Sequence, residues 1–181
     1  MPEEVLKMTI RKVRLAELET LRELAERTFR DAWEDKNTTE NFEAYCREHF
    51  SFDNVSAEFA APGSEFYFAE IDGEPVAYLK LNIGKRPESP GDYDGPALHL
   101  ERIYVLQGTQ SQGLGAELLR FAEMRARETG ATWIWLGVWQ QSPRTIAFYE
   151  RNGFSIFGTE IFWLGDDPQH DWLMRKAVNL S

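Results

Sequence analysis

"QSQGLGAELL", residues 110–119, sets two glycines one residue apart where a helical pattern begins. Glycine costs a helix about 1 kcal/mol relative to alanine, so the pair needs a reason. An extended run, "ALHLERIYVL" (97–106), comes before it, and Leu114, Leu118, Leu119, Ala122 and Ala126 follow on one helical face. The glycines therefore mark a strand-to-helix junction. The first turn of such a helix carries unpaired N–H groups and a partial positive charge, a setting that binds phosphate. Gly113 and Gly115 remove the side chains that would hold a diphosphate at a distance. The dinucleotide fingerprint G-x-G-x-x-G fails, because Leu118 stands where its last glycine belongs. The P-loop motif is absent. What remains is Gln110-x-x-Gly113-x-Gly115, and a tight connection with no ligand is its alternative.

The flanking sequence supplies the elements around this junction. "MTIRKVR" (8–14) reads as a first strand. Leu18, Leu21, Ala25, Phe29 and Trp33 recur at helical spacing. "NTTENFEAYCREHF" (37–50) reads as a second helix, capped by Thr38 or Thr39, with Phe42, Tyr45, Cys46 and His49 on one face. "EFYFAEI" and "PVAYLKLNI" flank Asp72-Gly73, a hairpin signal. "GKRPESPGDYDGP" (84–96) is a surface loop. "TWIWLGVW" (132–139) is a buried strand, with Trp133, Trp135 and Trp139 on one face as core aromatics or a stacking surface. Ser142-Pro143 opens a helix that Gly153 ends. "FSIFGTEIFWL" and "DWLMRKAV" read as closing strands. The order is strand, two helices, three strands, helix, strand, helix, two strands, which predicts an α/β protein with a mixed sheet and helices on both faces.

Composition narrows the functional classes. A chain of 181 residues with 43% hydrophobic and 13% aromatic residues can bury one substantial core, which predicts a single domain over 1–181. No apolar run approaches the ~20 residues a membrane span needs, and "MPEEVLKM" lacks the features of a signal peptide. Cytoplasmic location and no membrane partner are the expectations. The single Cys46 excludes an internal disulfide, and the three histidines give no metal spacing. The net charge of −10 and pI of about 4.9 argue against direct binding of nucleic acid and suit a cationic substrate, although the acidity could equally serve solubility.

The 110–116 stretch resembles motif A of the GNAT acetyltransferases, Q/R-x-x-G-x-G/A. "IAFYERNGF" (146–154) resembles the second signature of that family, and its Tyr149 lies thirty-four residues after Gly115. "LERIYV", "IWLGVW" and "FWLGDDPQHDWLMRK" are similar to the PaiA-type bacterial spermidine/spermine N-acetyltransferases. The resemblance implies a mostly antiparallel sheet of six to seven strands and acetyl-CoA as co-substrate. It implies a small cationic amine, spermidine or spermine, as acceptor, with direct attack in a ternary complex. The diphosphate would meet backbone N–H groups of Gln110, Ser111, Gln112, Gly113, Leu114, Gly115 and Ala116. The pantetheine arm would lie along Ile103, Tyr104 and Val105 as an added edge. Ser142 stands where the family often has asparagine, so a side-chain contact to the cofactor there is in question. Homodimers are common in the family.

Acetyl transfer to an amine needs a neutral amine and a protonated leaving thiolate. An alkyl amine near pKa 10.4 is mostly charged at neutral pH, so a base must take or relay its proton. Glu101 is the candidate. Alternation places it with His99, Ile103 and Val105, and a salt bridge is its alternative role. To act as a base it needs a raised pKa or a water relay. Tyr149 is the candidate acid, with core packing as its alternative. His99 is a possible relay or a structural residue. Asp92, Asp94, Asp166, Asp167 and Asp171 read as loop carboxylates. Other acceptors (a protein N-terminus, lysine, an amino acid or an aminoglycoside) and a non-catalytic acetyl-CoA sensor remain open alternatives.

Overall fold

The computed structural model describes residues 7–110 and 113–178. Seven strands form one sheet: β1 (Met8–Lys12), β2 (Ser64–Ile71), β3 (Glu74–Ile83), β4 (Ala97–Val105), β5 (Trp133–Trp139), β6 (Ser155–Leu164) and β7 (Asp167–Ala177). Their spatial order is β1-β2-β3-β4-β5-β7-β6. Only β4 and β5 run parallel, as a helical crossover between them requires. The expected mixed, mostly antiparallel architecture is what the chain forms.

Five helices cover the two faces. α1 (Leu18–Trp33), α2 (Thr39–His49) and α3 (Phe52–Ala60) pack on one face, hereafter the front. α4 (Leu114–Glu128) and α5 (Pro143–Arg151) pack on the back. The front core joins Leu21, Phe29, Phe42 and Val55 to Phe66, Phe68 and Tyr78 of the sheet. The back core joins Leu118, Leu119, Ala122 and Tyr149 to Leu79, Leu98, Ile134 and Met174. Thr38 caps α2 by accepting from the Asn41 N–H, as the sequence predicts. The Asp72-Gly73 hairpin carries positive φ at both positions, the geometry that makes this dipeptide a hairpin turn. Trp133 and Trp135 are buried under the 84–96 loop, donating to the carbonyls of Asp94 and Lys85.

Three features differ from the sequence expectation. α3 is an additional helix, started by Ser51, which accepts from the Asn54 N–H. At nine residues it is too short to show a clear period. β7 begins at Asp167, so Asp171 sits in mid-strand rather than in a loop. Finally, β4 carries a bulge: Lys80 pairs with Arg102, but Leu81 pairs with Leu100, leaving Glu101 as the extra residue. Among the described residues no helix is long and apolar enough to cross a membrane.

Candidate active site at the parting of two strands

β4 and β5 pair only through Ala97, Leu98 and His99 against Trp133, Ile134 and Trp135. Beyond that point the strands part. β5 continues along β7 up to Trp139, while β4 continues along β3 up to Val105. Residues 100–105 therefore present one backbone edge that no strand covers. Unpaired backbone groups at a protected edge attract an extended partner.

α4 starts at the mouth of the opening. Gly113 takes φ 77°, the left-handed region, and Glu117 N–H donates to its carbonyl in the first helical bond. The N–H groups of Gly113, Leu114, Gly115 and Ala116 therefore point beyond the helix end with no helical partner. A Cβ on Gly113 would meet nothing within 4 Å, so the backbone conformation, not crowding, demands glycine there. Gly115 has another role: a Cβ would lie 3.8 Å from the Phe148 ring, where α4 and α5 approach. Gln110 folds back so that its amide donates to the Val105 carbonyl, tying the turn to β4. Ser111 and Gln112 lie outside the described residues. The turn and the open edge suit a nucleotide diphosphate and its pantetheine arm. Ser142 is the N-cap of α5, but its hydroxyl makes no capping bond, contrary to the expected side-chain cap.

The bulge changes which side chains line the opening. Leu98, Leu100, Ile103 and Val105 all face the back core, because the extra residue restores the alternation after one step. His99, Glu101, Arg102 and Tyr104 face the front. The expectation that Glu101 shares a face with Ile103 and Val105 is thus corrected; the bulge breaks the period of two. On the front, Lys80 bridges Glu58 at 2.9 Å and Glu101 at 2.8 Å. Arg102 bridges Glu58 at 2.9 Å and Glu101 at 3.3 Å. Asn82 donates to Glu101 at 3.1 Å and lies 3.0 Å from His99 Nδ1. Although burial opposes ionisation, Arg102, Lys80 and hydrogen bonding outweigh it and lower the Glu101 pKa to about 2. The raised pKa is therefore not met, and a base role for Glu101 would need the water relay; Glu101 is a carboxylate held between two cations. His99 stacks on Trp135 at 3.9 Å, and burial lowers its pKa to about 3. It is neutral and packed.

Tyr149 lies in the back core on α5, against Phe148 and Phe154. Burial raises its pKa well above the ordinary value, with the Tyr104 phenol the second cause. Tyr104 faces the front and Tyr149 the back, so they approach through the parting of the strands. Among the described residues Ser64 Oγ is the only fully buried side-chain polar atom without a partner. The Tyr149 hydroxyl makes no hydrogen bond among the described residues, and Tyr104, on the other face, is near enough to act on its ionisation. Tyr104 itself accepts from Trp33 Nε1 at 3.1 Å, and Trp33 meets Trp139 edge to face. These aromatics close the front of the cleft.

Periodicity alone did not single out the Glu58–Lys80–Arg102 lattice, Trp33 as a cleft wall, or Asp171. The polar letters Lys80 and Arg102 inside strand runs were the available signal. Asp171 lies opposite Trp139 on β5 and Glu160 on β6. A Cβ on Gly137 would come 3.4 Å from its Oδ2. Burial and then Glu160 raise the Asp171 pKa to about 6.

Comparison with known proteins shows the family. Residues 18–154 match the model of the acetyltransferase (GNAT) family. An uncharacterized N-acetyltransferase encoded in the pepI 3′ region of Lactobacillus delbrueckii subsp. lactis is 37% identical over 155 residues, 86% of this chain and 88% of that protein. The aminoglycoside N(6′)-acetyltransferase type 1 of Klebsiella aerogenes is 34% identical over 89 residues, 48% of this chain and 57% of that one. The PaiA N-acetyltransferase of Thermoplasma acidophilum, solved with coenzyme A, superposes with a TM-score of 0.74 at 23% identity, covering 95% of this chain and 99% of that one. The chain belongs to the GNAT family and is an acetyl-CoA-dependent N-acetyltransferase.

Proposed function

We propose that the acceptor is a primary amine of a small polycation, spermidine or spermine, and that Tyr149 protonates the departing thiolate. The observation that carries the acceptor class is the front wall of the cleft. Asp171 and Glu160 stand side by side on β7 and β6, and among the described residues neither carboxylate has an ion pair. The net charge of −10 adds long-range attraction for a cation. The front mouth is bounded by the α1–α2 connection and the β6–β7 hairpin, which Gln169 links by donating to Asn37 at 2.6 Å.

In this mechanism acetyl-CoA supplies the activated acetyl group and the leaving thiolate. The N–H groups at the start of α4 hold the diphosphate, and the open edge of β4 aligns the arm. The late N–H groups of β4, Val105 foremost, are placed to polarise the carbonyl. Tyr149, kept protonated by burial, donates at the sulfur. Glu101 serves as a fixed negative charge held by Lys80 and Arg102. A second reading, an aminoglycoside acceptor, draws support from the Klebsiella relative named for that substrate and from the same acidic wall.

The test is thiol release from acetyl-CoA against spermidine, spermine, kanamycin, lysine and an N-terminal peptide. Spermidine or spermine should give the highest kcat/KM, and it should fall as ionic strength rises, mainly through KM. No turnover of polyamines, with turnover of another amine, would overturn the acceptor assignment.

A further inference from the structure

The front face holds four half-buried carboxylates near the parting of β4 and β5, Glu58, Glu101, Glu160 and Asp171, and they are not equivalent. Glu58 and Glu101 are locked between Lys80 and Arg102. Asp171 has no hydrogen bond or ion pair among the described residues, although it is half-buried. It lies over Gly137, the one position of β5 on this face that is not tryptophan. A side chain at 137 would press on the carboxylate. The front face is thus cleared beside Asp171, which with Glu160 makes a pair of carboxylates without an ion pair among the described residues. The groups facing Asp171 are few: Glu160 from β6, Trp139 and Gly137 from β5, and Tyr104 from β4. Tyr104 feels both Asp171 and Glu101, and Trp33 of α1 holds its hydroxyl. Lys85 and Glu88 of the 84–96 loop act on Glu160, and Lys85 also on His99. None of the groups packed on Asp171 is a cation, so a cationic substrate would be the first positive charge it meets.

We infer that Asp171 is the catalytic proton acceptor: its carboxylate binds the acceptor ammonium and takes one proton from it. This rests on the amine entering by the front of the cleft, not on which amine it is. The neutral nitrogen then forms the C–N bond with its lone pair while the C–S bond breaks, and that bonding pair leaves on sulfur. Tyr149 gives its proton to the thiolate and regains one from the nitrogen as the amide forms. Asp171 releases its proton to solvent, so one proton leaves per acetyl group transferred. The chemistry favours Asp171 over Glu101. An alkyl amine sits near pKa 10.4. Transfer to an acid that burial raises is less steeply uphill than transfer to one that Arg102 and Lys80 hold down. Acid–base efficiency follows that gap.

The stability consequence has the opposite sign. A carboxylate whose folded pKa exceeds its unfolded value of 3.8 binds more protons when folded. Folding stability therefore falls as pH rises from about 4 through 6, and above 6 the ionised group is a standing cost. Asp171→Asn removes that cost while keeping the shape.

The test is the pH profile of kcat/KM for wild type and Asp171→Asn, run with whichever amine of the panel turns over fastest. Failure of spermidine then counts against the polyamine assignment and not against Asp171. Wild type should show an acid limb near pH 6. Asp171→Asn should lose it, drop about 10²–10⁴-fold in kcat/KM at pH 7, and regain part of the loss at high pH. It should keep acetyl-CoA affinity and an equal or higher Tm at pH 8. Glu101→Gln should retain the limb near 6. Turnover of Asp171→Asn within twofold of wild type, or a persistent limb near 6, would overturn the assignment. So would its transfer to Glu101→Gln as the variant that loses the limb.

Discussion

At the scale of single residues, environment rather than identity assigns the chemistry. Glu101 and Asp171 face the same opening, yet paired cations lower the first to about 2 and burial raises the second to about 6. Tyr149 illustrates the same rule for a phenol. Its ring packs in the back core, and its hydroxyl makes no hydrogen bond among the described residues. Tyr149→Phe removes only that hydroxyl. Stability should change by less than about 1 kcal/mol, since no hydrogen bond is lost. Turnover should fall by about 10²–10⁴-fold with acetyl-CoA affinity held. Calorimetric binding beside single-turnover rates measures both; an unchanged chemical step would return Tyr149 to packing alone. The tyrosine was legible because its helix ends in Gly-Phe at a telling distance from Gly115. Asp171 was not, because "DDPQHDWL" spreads carboxylates through a hairpin whose strand starts four residues before it.

Among elements, β4 and α4 carry the site, and the bulge in β4 is the decisive detail. It turns Glu101 and Arg102 to the same front face and returns Ile103 and Val105 to the back core. Strict alternation cannot foresee this, because a bulge leaves no mark in the pattern of apolar letters. The start of α4, by contrast, was plain in the sequence: a glycine at the cap is what a left-handed backbone needs. Gly113→Ala should cost roughly 1–2 kcal/mol of stability, the penalty of an L-residue in that conformation. It should also weaken coenzyme A binding at least tenfold, because relief of the strain re-aims the N–H groups. The same loss of stability with full affinity would detach the diphosphate from this turn.

For the whole molecule, the sheet is a platform parted at its one parallel pair. α4 and α5 pack on the back of the parting, and α1 packs on its front; the proposed mechanism brings the thioester along the first pair and the amine to the front. Periods of 2 and 3.6 revealed most strands and four of the helices, since each long element hides one apolar face. The parting itself was not legible, because register is set by which strands stop pairing. The cysteine also bears on the chemistry. Cys46 is buried in α2, and burial raises its thiol pKa to about 11, so it offers no nucleophile to carry an acetyl group. In the proposed mechanism amine and thioester meet directly in the opening. Initial rates with acetyl-CoA and the best amine both varied test this most directly, read beside mass spectrometry of the protein after acetyl-CoA alone. Intersecting reciprocal plots and an unmodified protein mass are the expected result. Parallel lines, together with an acetylated protein that passes its acetyl group to the amine, would contradict direct transfer at the parting of β4 and β5.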